Sequence, residues 1–369
     1  MSMQPQRLDR LQINRLFSVR ELDLTLRPLN VVIGANGSGK SNLLEVFDLL
    51  GSIHGRRLRA YVARAGGADR LLHWGQRRSP SATIRATFGA NGYEAVLSPD
   101  DTGGVYFDTE ECWGQGAGHA RPFDLPLGVG HTESALPAEV RSHLGGVADW
   151  TLTSLAAWRR FHFHDTSRAA GVKQPQPLTD MRELQRDGSN LGPYLWALAQ
   201  RDRPAYERIR GAVQQVAPFF DDWVLRPELL NPDTLRLMWR HTDGEGTWGP
   251  ESLSDGTMRF MCLATLLLQP SPPSLLIVDE PELGLHPAAI VQLGDLLRSA
   301  ATQSQVIVAT QSVTLLNQLD LEDVIVAERH DGASSFEHIV AADLDAWLDD
   351  FALGELWEKN IIGGRPSWT

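Results

Sequence analysis

Cysteine is almost missing from this chain of 369 residues. Cys112 and Cys262 are the only two, they lie far apart, and no metal-binding spacing surrounds them. That excludes a disulfide-stapled scaffold and a cysteine zinc site, and a reducing cytoplasmic compartment is expected. No apolar stretch approaches the roughly 20 residues of a membrane span, so no membrane partner is expected. The segment Met1–Arg10 is polar and has no apolar signal core, so no secretory signal is expected. Sustained heptads are missing too, which leaves no long coiled-coil arm. Basic charge is in deficit: 34 Lys and Arg face 46 Asp and Glu, a formal net charge of -12. A surface coated in positive charge for indiscriminate nucleic-acid binding is thereby excluded, although a local patch is not. The candidate patch is Arg56, Arg57, Arg59 and Arg64, followed by Arg70, Arg77 and Arg78; a solvated arginine-rich helix face is the plainer reading.

What is present is an ordinary globular composition, 42% hydrophobic and 22% charged, long enough for one large core or two modest ones. Residues 7–11 and 21–26 alternate apolar and polar side chains as half-buried strands do, and Leu29–Ile33 is a short, mostly apolar run. Residues 84–88 and 93–97 flank Asn91-Gly92 as a hairpin, and the glycine-rich stretch 99–131 is expected to be a long loop. Helices are expected near 191–199 and 205–216. After Pro250 the regularity returns, with a helix over 257–268, a buried strand over 275–278, a helix over 287–301 and buried strands over 305–309 and 324–327. Short apolar strands alternating with helices imply a parallel sheet covered on both faces.

Three motifs carry chemistry. Gly34-Ala35-Asn36-Gly37-Ser38-Gly39-Lys40-Ser41 stands between the strand at 29–33 and a helix over 41–50, the context that a phosphate-cradling Walker A loop requires. In that reading Lys40 reaches the β- and γ-phosphates of ATP and the Ser41 hydroxyl ligates Mg²⁺. Leu275-Leu276-Ile277-Val278-Asp279-Glu280 is a buried strand ending in two carboxylates. Asp279 there would hold Mg²⁺ and Glu280 would orient or deprotonate the attacking water. Leu253-Ser254-Asp255-Gly256-Thr257 opens a helix whose N-terminal N–H groups suit an anion.

Together the motifs resemble the ABC-type ATPases, and within them the SMC/RecF/OLD-like group often called AAA_21-type. Gly37-Ser38-Gly39-Lys40-Ser41-Asn42 is similar to that group's P-loop, residues 253–257 to its signature, and Asp279-Glu280-Pro281-Glu282 with Gly284-Leu285-His286-Pro287 to its Walker B and D-loop. Trp158 to Asp165 and the tail from Leu356 to Pro366 also look like stand-alone bacterial members. The fold implied is α/β: a P-loop NTPase with an ABC/SMC-type head, mainly parallel sheet plus N-terminal antiparallel strands, and a large inserted lobe. The expected partition is head at 1–51 and 250–340, inserted lobe at 52–249, and a C-terminal helix and tail at 341–369.

The resemblance implies a nucleotide set of Asn36, Gly37, Ser38, Gly39, Lys40, Ser41 and Asn42, with Ser254 and Gly256 acting on ATP bound to a second copy. An ATP-dependent homodimer follows, reopened by hydrolysis at Glu280 with Lys40 and Gln311. Two positions depart from the commonest pattern. Asp255 replaces a glycine, and its side chain is expected to turn away from phosphate. Gln311 stands where transport ATPases carry histidine, and it can hydrogen-bond but cannot readily accept a proton. No glutamine is assigned to the family's Q-loop.

Other clusters carry blander readings. Strand geometry would put His162 and His164 on one face opposite Phe161 and Phe163, as a metal site or, more simply, as a packed lobe strand. The 11 tryptophans could stack bases, with core packing the default. Asp343, Asp345, Asp349 and Asp350 read as an acidic helix face rather than as a nuclease centre. The function expected is control of a nucleic-acid-directed process, DNA repair or anti-phage defence, with a separate nuclease or other effector and with direct DNA contact left open. The alternatives are control of a purely protein effector, or a transporter subunit, for which the distance from P-loop to signature is about twice too long.

Overall fold

The computed structural model describes residues 6–114, 123–142, 146–179, 181–339 and 351–364. Two six-stranded sheets organise them. The first is antiparallel and holds β1 (Arg10–Leu16), β2 (Val19–Thr25), β4 (Ala82–Phe88), β5 (Asn91–Pro99), β6 (Val105–Gly114) and β7 (Phe123–Gly128), in the order β2-β1-β4-β5-β6-β7. The second holds β3 (Leu29–Ile33), β8 (Trp158–Phe161), β13 (Leu275–Asp279), β14 (Gln305–Thr310), β15 (Val324–His330) and β16 (Ala333–His338), in the order β16-β15-β3-β14-β13-β8. It is parallel except for the β15–β16 hairpin. Two short antiparallel pairs complete the strands, β9 (Gln176–Pro177) with β11 (Thr234–Leu235) and β10 (Phe220–Val224) with β12 (Met238–His241).

The central strands are apolar at successive positions because both faces are covered. Leu276 and Val278 of β13 join one core while Leu275 and Ile277 join the other; Val306 and Val308 of β14 divide from Ile307 and Ala309 in the same way. The first core is closed by α6 (Leu191–Arg201), α7 (Arg203–Val216), α8 (Asp255–Leu268), α9 (Pro287–Ala301), α10 (Val313–Leu316) and the helix Leu353–Glu358. The second lies under the antiparallel sheet and takes in α1 (Lys40–His54), α2 (Leu58–Ala65), α3 (Ala68–Leu71), α4 (Leu136–Ser142) and α5 (Val147–Ala156).

Several expectations are corrected. The first strand begins at Arg10 rather than at residue 7. The stretch expected as a long loop over 99–131 contains β6 and β7, in which Phe107 and Cys112 are fully buried. Its glycines and charged residues weaken the local strand signal, but pairing with β5 supplies the missing ladder. The sheets also do not divide at residue 52. Strand β4 pairs with β1, Ile84 opposite Ile13, and β8 pairs in parallel with β13, Phe161 opposite Val278. Residues 82–128 therefore extend the N-terminal sheet, and Trp158–Phe161 is an edge strand of the sheet that carries the P-loop. The expected C-terminal helix falls partly outside the described residues, and Asp343, Asp345, Asp349 and Asp350 lie outside them; the described helix is Leu353–Glu358. Among the described residues no helix is long and apolar enough to cross a membrane.

Candidate nucleotide site

Strand β3 ends at Ile33 and the chain turns through Gly34–Gly39 into α1 at Lys40. The glycines are forced by geometry at two points. Gly39 has φ 109°, and a Cβ there would meet Ser334 Oγ at 2.1 Å; a Cβ on Gly34 would lie 2.3 Å from the Ala327 carbonyl oxygen. Ser334 Oγ donates to Ser18 Oγ at 2.7 Å and Asn42 Nδ2 reaches the same Ser18 Oγ at 2.7 Å, so the β15–β16 hairpin and the β1–β2 turn are buttressed against the loop. Gly39 brings no capping side chain, which leaves the first-turn N–H groups of α1 without a side-chain acceptor.

Lys40 is buried and folds back on its own loop, donating from Nζ to the carbonyl oxygens of Gly34 (2.6 Å) and Ala35 (3.1 Å). Burial lowers its pKa, while the carboxylates of Glu280, Asp279 and Glu282 pull the other way. Ser38 Oγ is buried with no hydrogen-bond partner. A loop whose first-turn N–H groups lack a side-chain acceptor, with an orphaned hydroxyl and an ammonium held by backbone carbonyls, fits a polyphosphate. Asn36, Gly37 and Ser41 are exposed on the same turn.

Strand β13 places Asp279 at its carboxyl end, and Glu280 follows in the left-handed region at φ 44° with its N–H donating to the Ala309 carbonyl at 2.8 Å. That backbone turn aims Glu280 towards the end of β14, where Gln311 Nε2 donates to Glu280 Oε1 at 2.6 Å. Two predicted residues 31 positions apart are thus joined directly. Glu282 braces the pair: its Oε1 accepts from Thr310 Oγ1 (2.6 Å) and from the Gln311 N–H (3.1 Å). Burial pushes the Glu282 carboxyl up, and Glu280 adds to the shift against those hydrogen bonds.

Asp279 does not stand free. Arg160 of β8 donates from its guanidinium to Asp279 Oδ2 at 3.0 Å and to Asp48 Oδ2 of α1 at 2.7 Å. Burial works against the Arg160 charge, but Asp48 and Asp279 outweigh it and raise its pKa. Ser41 and Asp279 supply the hard oxygen donors that Mg²⁺ prefers, and one Asp279 oxygen is left outside the ion pair.

Ser254 is the N-cap of α8, its Oγ accepting from the Thr257 N–H at 3.1 Å, and its side chain faces solvent. Gly256 sits against the D-loop, where a Cβ would lie 2.3 Å from the Gly284 carbonyl oxygen. The Asp255 carboxylate pairs with Lys173 Nζ at 3.2 Å, and that hydrogen bond holds its pKa below the ordinary value. Helix α8 packs on α7 and α9, whereas α1 packs on α2, α5 and β8. Lys40 thus stands at the start of α1, whereas Ser254 and Gly256 stand at the start of α8 beside the D-loop that follows Glu280.

The sequence reading missed Arg160, Glu282, Lys173 and the Ser18–Ser334 buttress. Glu282 was in plain view inside Asp279-Glu280-Pro281-Glu282; Arg160 carried only a weak signal, an arginine pair within a short aromatic-flanked run. Phe161 and Phe163 are buried with rings 6.1 Å apart while His162 and His164 are exposed, which is the packing reading. Among the described residues no group of three His, Cys, Asp or Glu side chains is placed to hold a metal on its own. Trp158, Trp223, Trp239 and Trp357 are buried, with Trp74 and Trp248 about half exposed.

Fold and loop geometry together define a P-loop ATPase of the SMC/RecF/ABC type. The sequence model of the family described as "AAA domain, putative AbiEii toxin, Type IV TA system" matches residues 29–98 and 131–317, more than half of the chain, and the protein belongs to this AAA_21 family. It is 30% identical over 114 residues to a putative ABC transporter ATP-binding protein of Methanosarcina acetivorans, covering 31% of this chain and 38% of the relative. It is 40% identical over 68 residues to the DNA replication and repair protein RecF of Actinobacillus pleuropneumoniae serotype 5b, covering 18% of this chain and 17% of RecF. The chain thus spans well under half the length of these curated relatives. In structure it resembles an SMC head bound to the C-winged helix domain of ScpA, with TM-score 0.59 at 16% identity over 90% of this chain and 97% of that one. An SMC head with an extended coiled coil, bound to the C-terminal domain of ScpA derived from Pyrococcus furiosus, aligns with TM-score 0.57 at 15% identity over 93% of this chain and 98% of that one. These two likenesses describe the fold; no long coiled coil is found among the described residues.

Proposed function

We propose that this chain is a Mg²⁺-dependent ATPase that closes into a homodimer on ATP and, through that closure, regulates a nucleic-acid-directed process such as DNA repair or anti-phage defence, acting on a separate effector. The observation that carries the catalytic part is the Glu280–Gln311 contact at 2.6 Å beside the P-loop. In this reading the backbone N–H groups of Gly37–Ser41 and Lys40 Nζ bind the triphosphate, and Lys40 leaves the Gly34 and Ala35 carbonyls to do so. Glu280 accepts a proton from the attacking water, and Gln311 fixes the orientation of that carboxylate. Bound Mg²⁺ would neutralise phosphate charge, held through Ser41 and Asp279.

The dimer reading is supported by the exposure of Ser254. Ser254 is exposed on a helix end that packs with α7 and α9 rather than with α1, which suits contact with nucleotide on a second copy. ATP that bridges both copies binds the closed form better, so it shifts the equilibrium towards closure. The nucleic-acid assignment is supported by the likeness to RecF, a DNA replication and repair protein, and the defence assignment by the toxin–antitoxin system named in the family description. Measuring oligomeric state and phosphate release for the wild type and Glu280→Gln, with and without DNA, tests the whole reading. The variant should accumulate as an ATP-bound dimer; a variant that binds ATP yet stays monomeric sinks the composite-site model. Turnover indifferent to DNA, with no DNA retained, redirects the role to a protein effector.

A further inference from the structure

A second concave site lies outside the nucleotide site. A cavity of about 450 Å³ opens between α1, α2 and the edge strand β8, and five arginines line it: Arg57, Arg64, Arg159, Arg160 and Arg186. Only two carboxylates, Glu45 and Asp48, line it with them. This is a concentrated positive surface on a chain whose net charge is -12. Arg57 and Arg64 are exposed and form no ion pair within the described residues. Arg186 approaches Asp48 at only 3.9 Å, and Arg159 approaches Glu183 at 3.7 Å, too long for good hydrogen bonds. Trp158 forms part of the wall, and its indole N–H is buried without an acceptor. The field is felt by His54 at the end of α1, whose pKa is held at about 4 by burial and then by Arg159, Arg57 and Arg186.

Arg160 is held by Asp48 and Asp279, and Arg159 Nη1 donates to the Ala156 and Trp158 carbonyls, which leaves Arg57 and Arg64 as guanidinium forks unmatched by carboxylates among the described residues. Such forks are suited to bidentate phosphate recognition, and the volume is that of a small-ligand pocket. The cavity is also wired to the nucleotide site. Asp48 on its wall holds Arg160, and the same Arg160 holds Asp279. A phosphate arriving here competes with Asp48 for Arg160 and Arg186, and so alters the grip on Asp279.

We propose that this cavity binds a phosphate-bearing anion of nucleotide size, and that its occupancy is linked to the nucleotide site through Asp48, Arg160 and Asp279. The ligand chemistry is common to a free nucleotide and to a terminal phosphate of a nucleic acid, and the experiment separates them.

The full chain carrying Lys40→Ala, which removes the P-loop's own hold on phosphate, is titrated calorimetrically with pyrophosphate and with short single-stranded oligonucleotides ending in a 5′-phosphate or a 5′-hydroxyl. Because that background disables the proposed ATPase, the result is independent of whether the ATPase reading stands. Pyrophosphate should bind, and adding Arg57→Ala with Arg64→Ala should weaken it on the order of tenfold or more with an unchanged melting temperature. Binding that is indifferent to the arginine pair, or absent at about 1 mM pyrophosphate, overturns the site. Arginine-dependent binding of the 5′-phosphate oligonucleotide alongside pyrophosphate supports the site with a nucleic-acid end as its source. Pyrophosphate binding alone supports it with a free anion as the source. Adding Asp279→Asn frees Arg160 and should tighten pyrophosphate several-fold, as reciprocal coupling demands; an unchanged affinity overturns the link to the nucleotide site.

Discussion

Gln311 Nε2 donates to Glu280 Oε1 at 2.6 Å, so the amide at the end of one central strand orients the carboxylate at the end of its neighbour. A neutral amide can hold that carboxylate without taking its proton, which separates orientation from basicity. If Glu280 is the general base, Glu280→Gln should cut phosphate release by about a hundredfold or more while ATP binding persists. Gln311→Ala should cost less, about tenfold, because the base remains and only its orientation is lost. Phosphate release and equilibrium nucleotide binding, measured side by side, check both; Gln311→Ala falling as far as Glu280→Gln would show that the amide does more than orient.

The composite-site model makes a prediction that a self-contained site does not. Lys40→Ala and Ser254→Arg should each abolish hydrolysis alone. Mixed in equal amounts they should recover activity, because the mixed dimer contains one intact pairing of Lys40 with Ser254. Lack of recovery in a mixture shown to dimerise would place Ser254 on its own copy's nucleotide.

Gly39 tests the loop's geometry. With φ 109° and Ser334 Oγ at 2.1 Å from the ideal Cβ, Gly39→Ala should destabilise the fold by about 1–3 kcal/mol and lose ATP binding. Denaturant unfolding of the variant reports the first effect and nucleotide titration the second. Truncating the obstacle with Ser334→Ala should restore part of the stability.

Asp323 gives the pH test. Burial first, then repulsion from Asp320 and Glu322, raises its pKa from 3.8 to about 6 against the pull of Arg27. A carboxyl raised on folding prefers its proton in the folded state, so the associated stability is complete below about pH 3.8 and is lost as pH rises through 6. Asp323→Asn should therefore stabilise the chain at pH 8 by about 1 kcal/mol, the value discounted for its partial exposure, and make little difference at pH 4. Equilibrium unfolding at the two pH values decides it.

Arg160 is a further test site. It bridges Asp48 and Asp279 with two guanidinium nitrogens, a geometry that an ammonium cannot reproduce. Arg160→Lys should lower stability by about 1–2 kcal/mol and Arg160→Ala by more, since both carboxylates then lose their partner. Equal unfolding midpoints for wild type and both variants would show the bridge to be idle.

Much of this was legible along the chain. Strands at 29–33, 275–278 and 305–309 stand out because a strand buried on both faces needs apolar residues at successive positions. The P-loop reads directly, since positive φ at Gly37 and Gly39 favours glycine and close packing at Gly34 and Gly39 leaves little room for a side chain. The sequence therefore determined the phosphate cradle, the carboxylates at the end of β13 and the class of ATPase to which they belong. Tertiary structure alone decided that residues 105–114 and 123–128 become strands, that Arg160 meets both Asp48 and Asp279, and that Lys173 takes the Asp255 charge. Those pairings span up to 119 positions, and neither partner's neighbours in sequence announce the other. A local motif reports the conformation its own residues demand, whereas an edge-strand ladder or an ion pair exists only once the sheet has brought distant segments together.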